Sequence, residues 1–403
     1  MPPAGTRVAV LFGGPSVEHD VSIISASQLI EVLSERHRPV PIYLARNDRF
    51  YTGQALRELS SYGPLVPSGA EPIELVLGGD APLRIPSGSR LRAPVNPVVD
   101  VALCAIHGTG GEDGALLGAL EHSGIPYAGG PVGPAAVAMD KALAKLVFAD
   151  AGIETNPHSA ITREQFATDR GAVLERCDAM PGFPCFVKPR SLGSSIGVAR
   201  VSDSDDLDEA LELCFELDRG ALVEPALDEA IEINCAVIGR PGGELRASEL
   251  EQPVGSGSGT LSFEDKYLRG LKGGKGQAGK VGRSAKGADG VGMASQERLI
   301  PAPIARPLAD RIRETALVAH RALGFAGVVR YDFLVEAEVG RIVLNEANTV
   351  PGSFSFYLFD PVGLPFIELA DTLIDIAFAE AAEQGATTRS FDSVLLSQHG
   401  GGR

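Results

Sequence analysis

Two polar clusters near the carboxyl-terminal end carry the residue types that hold a hard cation. Arg330-Tyr331-Asp332 closes one β-patterned run, and Asn345-Glu346-Ala347-Asn348 closes the next. Positions two apart on a strand share a face, so pairing of the runs as a hairpin brings Asp332, Glu346 and Asn348 together. Two carboxylates and an amide oxygen suit Mg²⁺ bound jointly with substrate phosphates. Ordinary strand-end polarity accounts for fewer of these residues. Upstream, Lys188 lies among the apolar strand residues of FVKP, where an unpaired ammonium is costly and an anionic partner is required. The following loop, RSLGSSIG, joins two β-rich runs, and its small residues let backbone N–H groups close on an anion.

Two further clusters lie at ends of amino-terminal strands. Gly13-Gly14-Pro15-Ser16-Val17-Glu18-His19-Asp20-Val21-Ser22 leads from a strand into a helix, and His107-Gly108-Thr109-Gly110-Gly111-Glu112-Asp113-Gly114 repeats the arrangement. Helix starts and loops after parallel strands are where ligands bind. A simple N-cap at Asp20 or Ser22 leaves Glu18 unexplained, and the glycines around His107 favour a ligand contact over a purely structural donor. Two patterns point elsewhere and fail on context. Gly274 to Lys280 has phosphate-loop spacing, but Val281 replaces the Ser or Thr that holds Mg²⁺, and no strand precedes it. Gly193-Ser194-Ser195-Ile196-Gly197 matches a nucleophile elbow, which makes a serine hydrolase using Ser195 the alternative from a different class; an elbow requires a helix afterwards, and a β-rich run follows.

The positioning elements follow from hydrophobic periodicity. RVAVLF, the helical stretch Ser22 to Leu33, VPIYLA and VDVALCAIHG alternate as βαβ units of a parallel sheet. Ala115 to His122 reads as a helix stopped by Gly124, IPYAGG as a short strand, and Pro134 to about Ala151 as one long helix. FPCFVKP and IGVARV form a hairpin. SDSDDLDEALELCFELDRG is an amphipathic helix ended by Gly220, with Leu207, Ala210, Leu211, Cys214 and Phe215 on one face. Strands ALVEPAL, EINCAVIG and LRASELEQ come next, then a helix from Leu308 to Leu323, strands VVRYDFLV and RIVLNEAN, and a helix from about Pro365 to Gln384. Between them, Gly255 to Gly292 holds twelve glycines and seven Lys or Arg against three acids. This basic stretch reads as a mobile flap suited to closing over an anionic ligand.

The length of 403 residues and 44% apolar content fit two to four domains without disulfide staples. Five cysteines, an odd number without a C-x-x-C pair, read as small buried residues in a reducing compartment. The net charge of −16 argues against nucleic-acid binding as the main task. The start shows no secretion signal, and no apolar run approaches the ~20 residues of a membrane span. A soluble cytoplasmic protein without a membrane partner is expected.

Taken in order, GGPSVEHDVS, HGTGGEDG, MDK, FVKPRSLGSSIG, DKYL, VRYDF and NEANTVPG resemble the D-alanine–D-alanine ligase family of the ATP-grasp superfamily, over about residues 8 to 380. The resemblance implies α/β and α+β domains: an N-terminal Rossmann-like domain (1–130), a central ATP-grasp domain (131–232) and a C-terminal ATP-grasp domain (233–403) with a long lid loop at about 252–300. It implies ATP-dependent joining of two D-amino acids, D-alanine to D-alanine for peptidoglycan precursors, through an acyl phosphate. A specialised dipeptide ligase with another acceptor is the alternative within the superfamily. Lys141, Lys188 and Lys266 would face the ATP phosphates, with the Gly193–Gly197 loop and its Ser195 covering them. Glu224 would lie on the adenine side and Glu232 on the ribose. Asp332, Glu346 and Asn348 would hold Mg²⁺, two ions by the family's pattern, with Mn²⁺ an alternative. Arg330 and the Gly352 N–H would stabilise the oxyanion. Glu18, hydrogen-bonded with Ser194 and Tyr267, would anchor the first amino acid; His107, Tyr357 and Leu358 would lie near the second. A homodimer with small amino-acid substrates is implied. The chain departs from the family in two places: 33 residues from Leu268 to Ile300 make the lid long, and Tyr357 stands where many members carry serine.

Overall fold

A computed structural model of the chain describes residues 1–63, 65–78, 82–86, 97–254 and 298–388. Lys266, Tyr267, the Gly274–Lys280 pattern and the whole glycine-rich flap lie outside the described residues. The first sheet has seven strands: β1 (Arg7–Gly13), β2 (Arg38–Leu44), β3 (Phe50–Thr52), β4 (Glu71–Leu75), β5 (Leu83–Arg84), β6 (Val101–Cys104) and β7 (Tyr127–Ala128), in the order β5-β4-β3-β2-β1-β6-β7. β1 runs parallel to β2 and β6, and β6 to β7, as the βαβ pattern predicts. The edge differs from that expectation, because β3, β4 and β5 add antiparallel; among the described residues the stretch from β3 to β4 holds only two short 3-10 turns, Gln54–Arg57 and Leu59–Ser61, and no α-helix that could return the chain for a parallel strand. Helix α1 (His19–Leu33) connects β1 to β2, and α2 (Ala115–Ser123) precedes β7.

The single helix expected from Pro134 to Ala151 is two, α3 (Val132–Met139) and α4 (Lys141–Asp150). Asp140 leaves helical geometry, and its side chain accepts from the backbone N–H groups of Ala142 and Leu143, both at 3.1 Å. A good N-cap in an Ala/Leu-rich pattern starts a new helix and sets Lys141 at its first position.

The second sheet comprises β8 (Ser159–Thr162), β9 (Cys185–Pro189), β10 (Ala199–Val201) and β11 (Gly220–Pro225), in the order β10-β9-β11-β8, with α5 (Arg163–Thr168), α6 (Arg170–Ala179) and α7 (Ser204–Leu217) packed on it. β9 and β10 form the predicted hairpin. Helix α7 buries all five residues of its predicted apolar face and starts on an Asp203 cap, but it ends before Gly220, which opens β11.

The third sheet, β14-β13-β12-β15-β16, contains β12 (Ile231–Gly239), β13 (Arg246–Pro253), β14 (Arg298–Leu299), β15 (Gly327–Glu336) and β16 (Arg341–Asn348). Helix α8 (Arg306–Leu323) packs against one face of the sheet through Leu308, Ile312, Ala316, Ala319 and Leu323, a stripe at helical spacing. That face carries Ile233, Cys235, Tyr331 and Phe333, so the alternate residues of the same strands point the other way. Short α9 (Phe356–Phe359) and long α10 (Phe366–Gly385) complete the chain, α10 packing on the first sheet. All five cysteines are buried thiols. Among the described residues, no helix is long and apolar enough to cross a membrane.

Candidate active site

The polar face of the third sheet is built by register. In the β15–β16 ladder Arg330 stands opposite Asn348 and Asp332 opposite Glu346, so the four side chains form a compact quartet. The sharing of a face expected from their two-residue spacing is what the hairpin delivers. Arg330 grips Asp332 with two hydrogen bonds, Nε to Oδ1 at 2.6 Å and Nη2 to Oδ2 at 2.7 Å. Asn348 Nδ2 also donates to Asp332 Oδ2, at 2.9 Å. Burial raises the Asp332 carboxyl above its usual range; Arg330 opposes this, and the neighbouring Glu346 and Glu232 add to it. Asp332 is buried and Glu346 and Glu232 partly so, and three carboxylates on one face with Arg330 bound to Asp332 leave room for a further cation. Among the described residues, no three His, Cys, Asp or Glu side chains cage a metal alone. An ion held by Asp332 and Glu346 would therefore draw on the Asn348 oxygen and on substrate oxygens, the usual pattern for Mg²⁺. The residues present fit that group.

The ladder slips by one residue after Asp332, where Phe333 pairs with Leu344 and Asn345 is the extra residue. Such a bulge re-aims a side chain, and Asn345 Oδ1 accepts from Lys188 Nζ at 3.0 Å. The anionic partner required for Lys188 is Glu224, whose Oε2 accepts from Nζ at 2.6 Å. The other oxygen of Glu224 meets Lys145 Nζ at 2.7 Å. Burial alone would raise the Glu224 carboxyl, but Lys188 and Lys145 outweigh it and hold the group down at about 2. Lys141, at the start of α4, donates to the Leu192 carbonyl in the β9–β10 loop and lies 3.7 Å from Glu346. Lys141, Lys188 and Glu346 thus converge, joining the second sheet to the third. Glu232 sits two residues before Asn234 on β12, on the strand face whose Asn234 stands opposite Asp332.

From the first sheet come the two glycine-rich loops. Ser22, inside α1 rather than capping it, accepts from Gly13 N–H at 2.8 Å and donates to the Ala105 carbonyl at 2.6 Å, tying the ends of β1 and β6 together. Asp20 points outward to Arg46. Ser194 donates to Glu18, so the expected Glu18–Ser194 contact forms; Tyr267 lies outside the described residues. Ser25 hydrogen-bonds His107 Nε2 at 3.0 Å and accepts from the Ser353 N–H at 3.1 Å. Burial, and secondarily Arg330, lower His107 to about 3, so its ring is neutral in any ordinary buffer. Glu112 accepts from the Val350 N–H at 3.0 Å, and burial, with Glu18 adding repulsion, raises its carboxyl to about 8.

Together Glu18, His107, Glu112, Ser194, Arg330, Glu346, Asn348 and Gly352 line one polar cleft. Tyr357 and Leu358 lie off it. Leu358 is wholly buried in the apolar core, and Tyr357 donates to Glu251 at 3.2 Å beneath a stacked Arg298 guanidinium. Ser195 follows Ser194 in a left-handed turn, with φ 56°, and strand β10 comes next, so the nucleophile elbow is not formed. Sequence reasoning missed Lys145, Asn345 and Ser25. Only Asn345 carried a signal, since adjacent polar residues on a buried strand cannot both face one cleft without a bulge.

Three sheets bring a Gly/Ser hairpin and a carboxylate-bearing face to one cleft, with Lys141 and Lys188 reaching that face, and the matches to known proteins make the chain an ATP-dependent ligase. The family model described as D-ala D-ala ligase N-terminus matches residues 7–130, and that described as D-ala D-ala ligase C-terminus matches 147–278 and 290–375. The D-alanine–D-alanine ligase of Chlorobium limicola is 36% identical over 382 residues, covering 92% of this chain and 97% of the relative. Among solved structures, the D-alanine–D-alanine ligase of Coxiella burnetii superposes with a TM-score of 0.74 at 25% identity, covering 95% of this chain and 96% of that one. The D-Ala:D-Ser ligase of Enterococcus faecalis gives 0.71 at 26% identity, covering 93% and 99%. The chain belongs to the D-alanine–D-alanine ligase family.

Proposed function

We propose that the protein joins two molecules of D-alanine at the expense of ATP, releasing ADP and phosphate, to supply a peptidoglycan precursor in the cytoplasm. The observation that carries this reading is the approach of Lys141 and Lys188 to the Arg330–Asp332–Glu346–Asn348 face, because phosphoryl transfer to a carboxylate needs preplaced positive charge. ATP with Mg²⁺ supplies the phosphoryl group that turns a poor carboxylate electrophile into a reactive one.

The chain's own residues do the rest. Lys141 and Lys188 neutralise phosphate charge, with Lys266 joining them from the flap. Asp332, Glu346 and Asn348 hold one or two Mg²⁺ ions, Mn²⁺ substituting. Ser195 and its glycine neighbours offer backbone N–H groups over the phosphates, while Glu232 serves the nucleoside end; Glu224, expected on the adenine side, has both oxygens turned to Lys188 and Lys145 instead. Glu18, oriented by Ser194 and Tyr267, receives the ammonium of the first D-alanine. His107, kept neutral by burial, orients the second amino acid without adding a positive charge beside its amine. Arg330 and the Gly352 N–H stabilise the charge that builds on the attacked carbonyl oxygen. The three sheets support division into units at 1–130, 131–232 and 233–403, and by the family likeness the unit of function is a homodimer.

Incubation with ATP, Mg²⁺ and single or paired amino acids, with ADP and dipeptide both quantified, tests the reading. D-alanyl-D-alanine with one ADP per peptide bond is expected. A preference for D-serine or another acceptor would replace the assignment of the second substrate. ATP-independent turnover, or no peptide from any D-amino acid, would overturn the reaction.

A further inference from the structure

Lys145 belongs to none of the motifs above, yet it is 2% exposed and lies on α4 one turn beyond Lys141. Its Nζ is 2.7 Å from Glu224 Oε1, Glu224 Oε2 is 2.6 Å from Lys188 Nζ, and Lys188 also reaches Asn345. At this depth an uncompensated ammonium is too costly to keep. Burial pushes the Lys145 ammonium toward its neutral form and Glu224 opposes this; with both lysines protonated, two cations share one anion and the three side chains together carry one positive charge. If Lys145 were absent, Glu224 and Lys188 would cancel, and both carboxylate oxygens would compete for Lys188.

We propose that Lys145 is a positioning residue for nucleotide binding: by occupying one oxygen of Glu224, it leaves Lys188 held in place and able to offer net positive charge to a phosphate. The inference rests on the ATP reading above and adds to it the means by which the phosphate-facing lysine is set. It also explains why Glu224 is so deeply buried, at 1% exposure. The carboxylate works as a bridge between two cations and presents no oxygen to the cleft.

Charge arithmetic gives a test that a merely space-filling Lys145 would not pass. Affinity is read on the full chain with Mg²⁺ by displacement of a fluorescent adenine nucleotide with ATP, and folding by thermal unfolding. Lys145→Met leaves the cluster neutral and is expected to weaken ATP binding about tenfold. Adding Glu224→Gln restores the single positive charge and keeps an acceptor for Lys188, so the double variant is expected to bind within about fivefold of wild type. The double variant carries one buried charge instead of three, so it serves alone should Lys145→Met fail to fold. A folded Lys145→Met that binds ATP like wild type, or a folded double variant more than about fivefold weaker than wild type, overturns the proposal. D-alanine-dependent ADP formation by the wild type is measured alongside. Nucleotide binding without peptide synthesis would sink the proposed reaction while this comparison still decides the role of Lys145, and a wild type that binds no ATP would overturn both.

Discussion

At the scale of single residues, the cleft works by pairing charges that burial would otherwise make unaffordable. Glu346 stands opposite Asp332, with Lys141 Nζ 3.7 Å away. Glu346→Gln keeps the shape and removes a charged metal ligand, so turnover is expected to fall by roughly two orders of magnitude or more, with a raised Mg²⁺ requirement. Near-normal rates over a Mg²⁺ titration would remove Glu346 from the metal assignment. Glu112 supplies a pH signature. Its folded-state value of about 8 lies above the ordinary carboxylate value of 4.5, so between those limits the folded chain binds the proton more tightly than the unfolded chain. Its contribution to stability is therefore full below about pH 4.5 and is lost as pH rises through about 8. Glu112→Gln retains the acceptor for Val350 N–H but cannot ionise. The variant should match wild type near pH 5 and be more stable by about 1 kcal/mol or more near pH 8.5. Calorimetric melting at the two pH values checks this, and an equal difference at both would remove Glu112 as the cause.

At the scale of elements, the division between what was legible and what was not follows from range. The β15–β16 face could be read because i, i+2 spacing is local, and the amphipathic stripe of α7 for the same reason. The bulge at Asn345 was signalled only by two adjacent polar residues, and its place and the direction it turns Asn345 depend on how two strands register against each other. The break between α3 and α4 was hidden because Ala and Leu favour helix on both sides, and only the Asp140 side chain decides the issue. The antiparallel edge of the first sheet was missed because short strands carry little periodic signal, and Leu358 was misplaced because adjacency to a functional turn says nothing about which way a helix will roll. Since Asp140 also bonds Arg190 at 2.6 Å, Asp140→Ala removes a cap and a link to the β9–β10 loop together. A loss of about 1–2 kcal/mol is expected, accompanied by a raised KM for ATP because Lys141 occupies the first position of α4. A melting shift with unchanged ATP dependence would separate the cap from the site.

At the scale of the whole molecule, the cleft draws on loops and strands of all three sheets. Residues 273–290 are rich in glycine, a composition with few side chains to bury, so deleting them is expected to leave the melting transition of the described fold within about 1 kcal/mol of wild type while lowering turnover. Collapse of the transition would show the segment to be part of a core. The remaining consequence concerns Ser25, whose one hydroxyl meets both the His107 ring and the Ser353 N–H. Helix α1 thereby fixes the spacing between two walls of the cleft, one contributed by the first sheet and the other by the turn after the third. A gauge cut into a helix keeps its width when the surrounding loops change. Ser25→Ala should consequently show itself first as tolerance of bulkier acceptors, visible in competition between D-alanine and larger D-amino acids, before the rate with D-alanine itself declines.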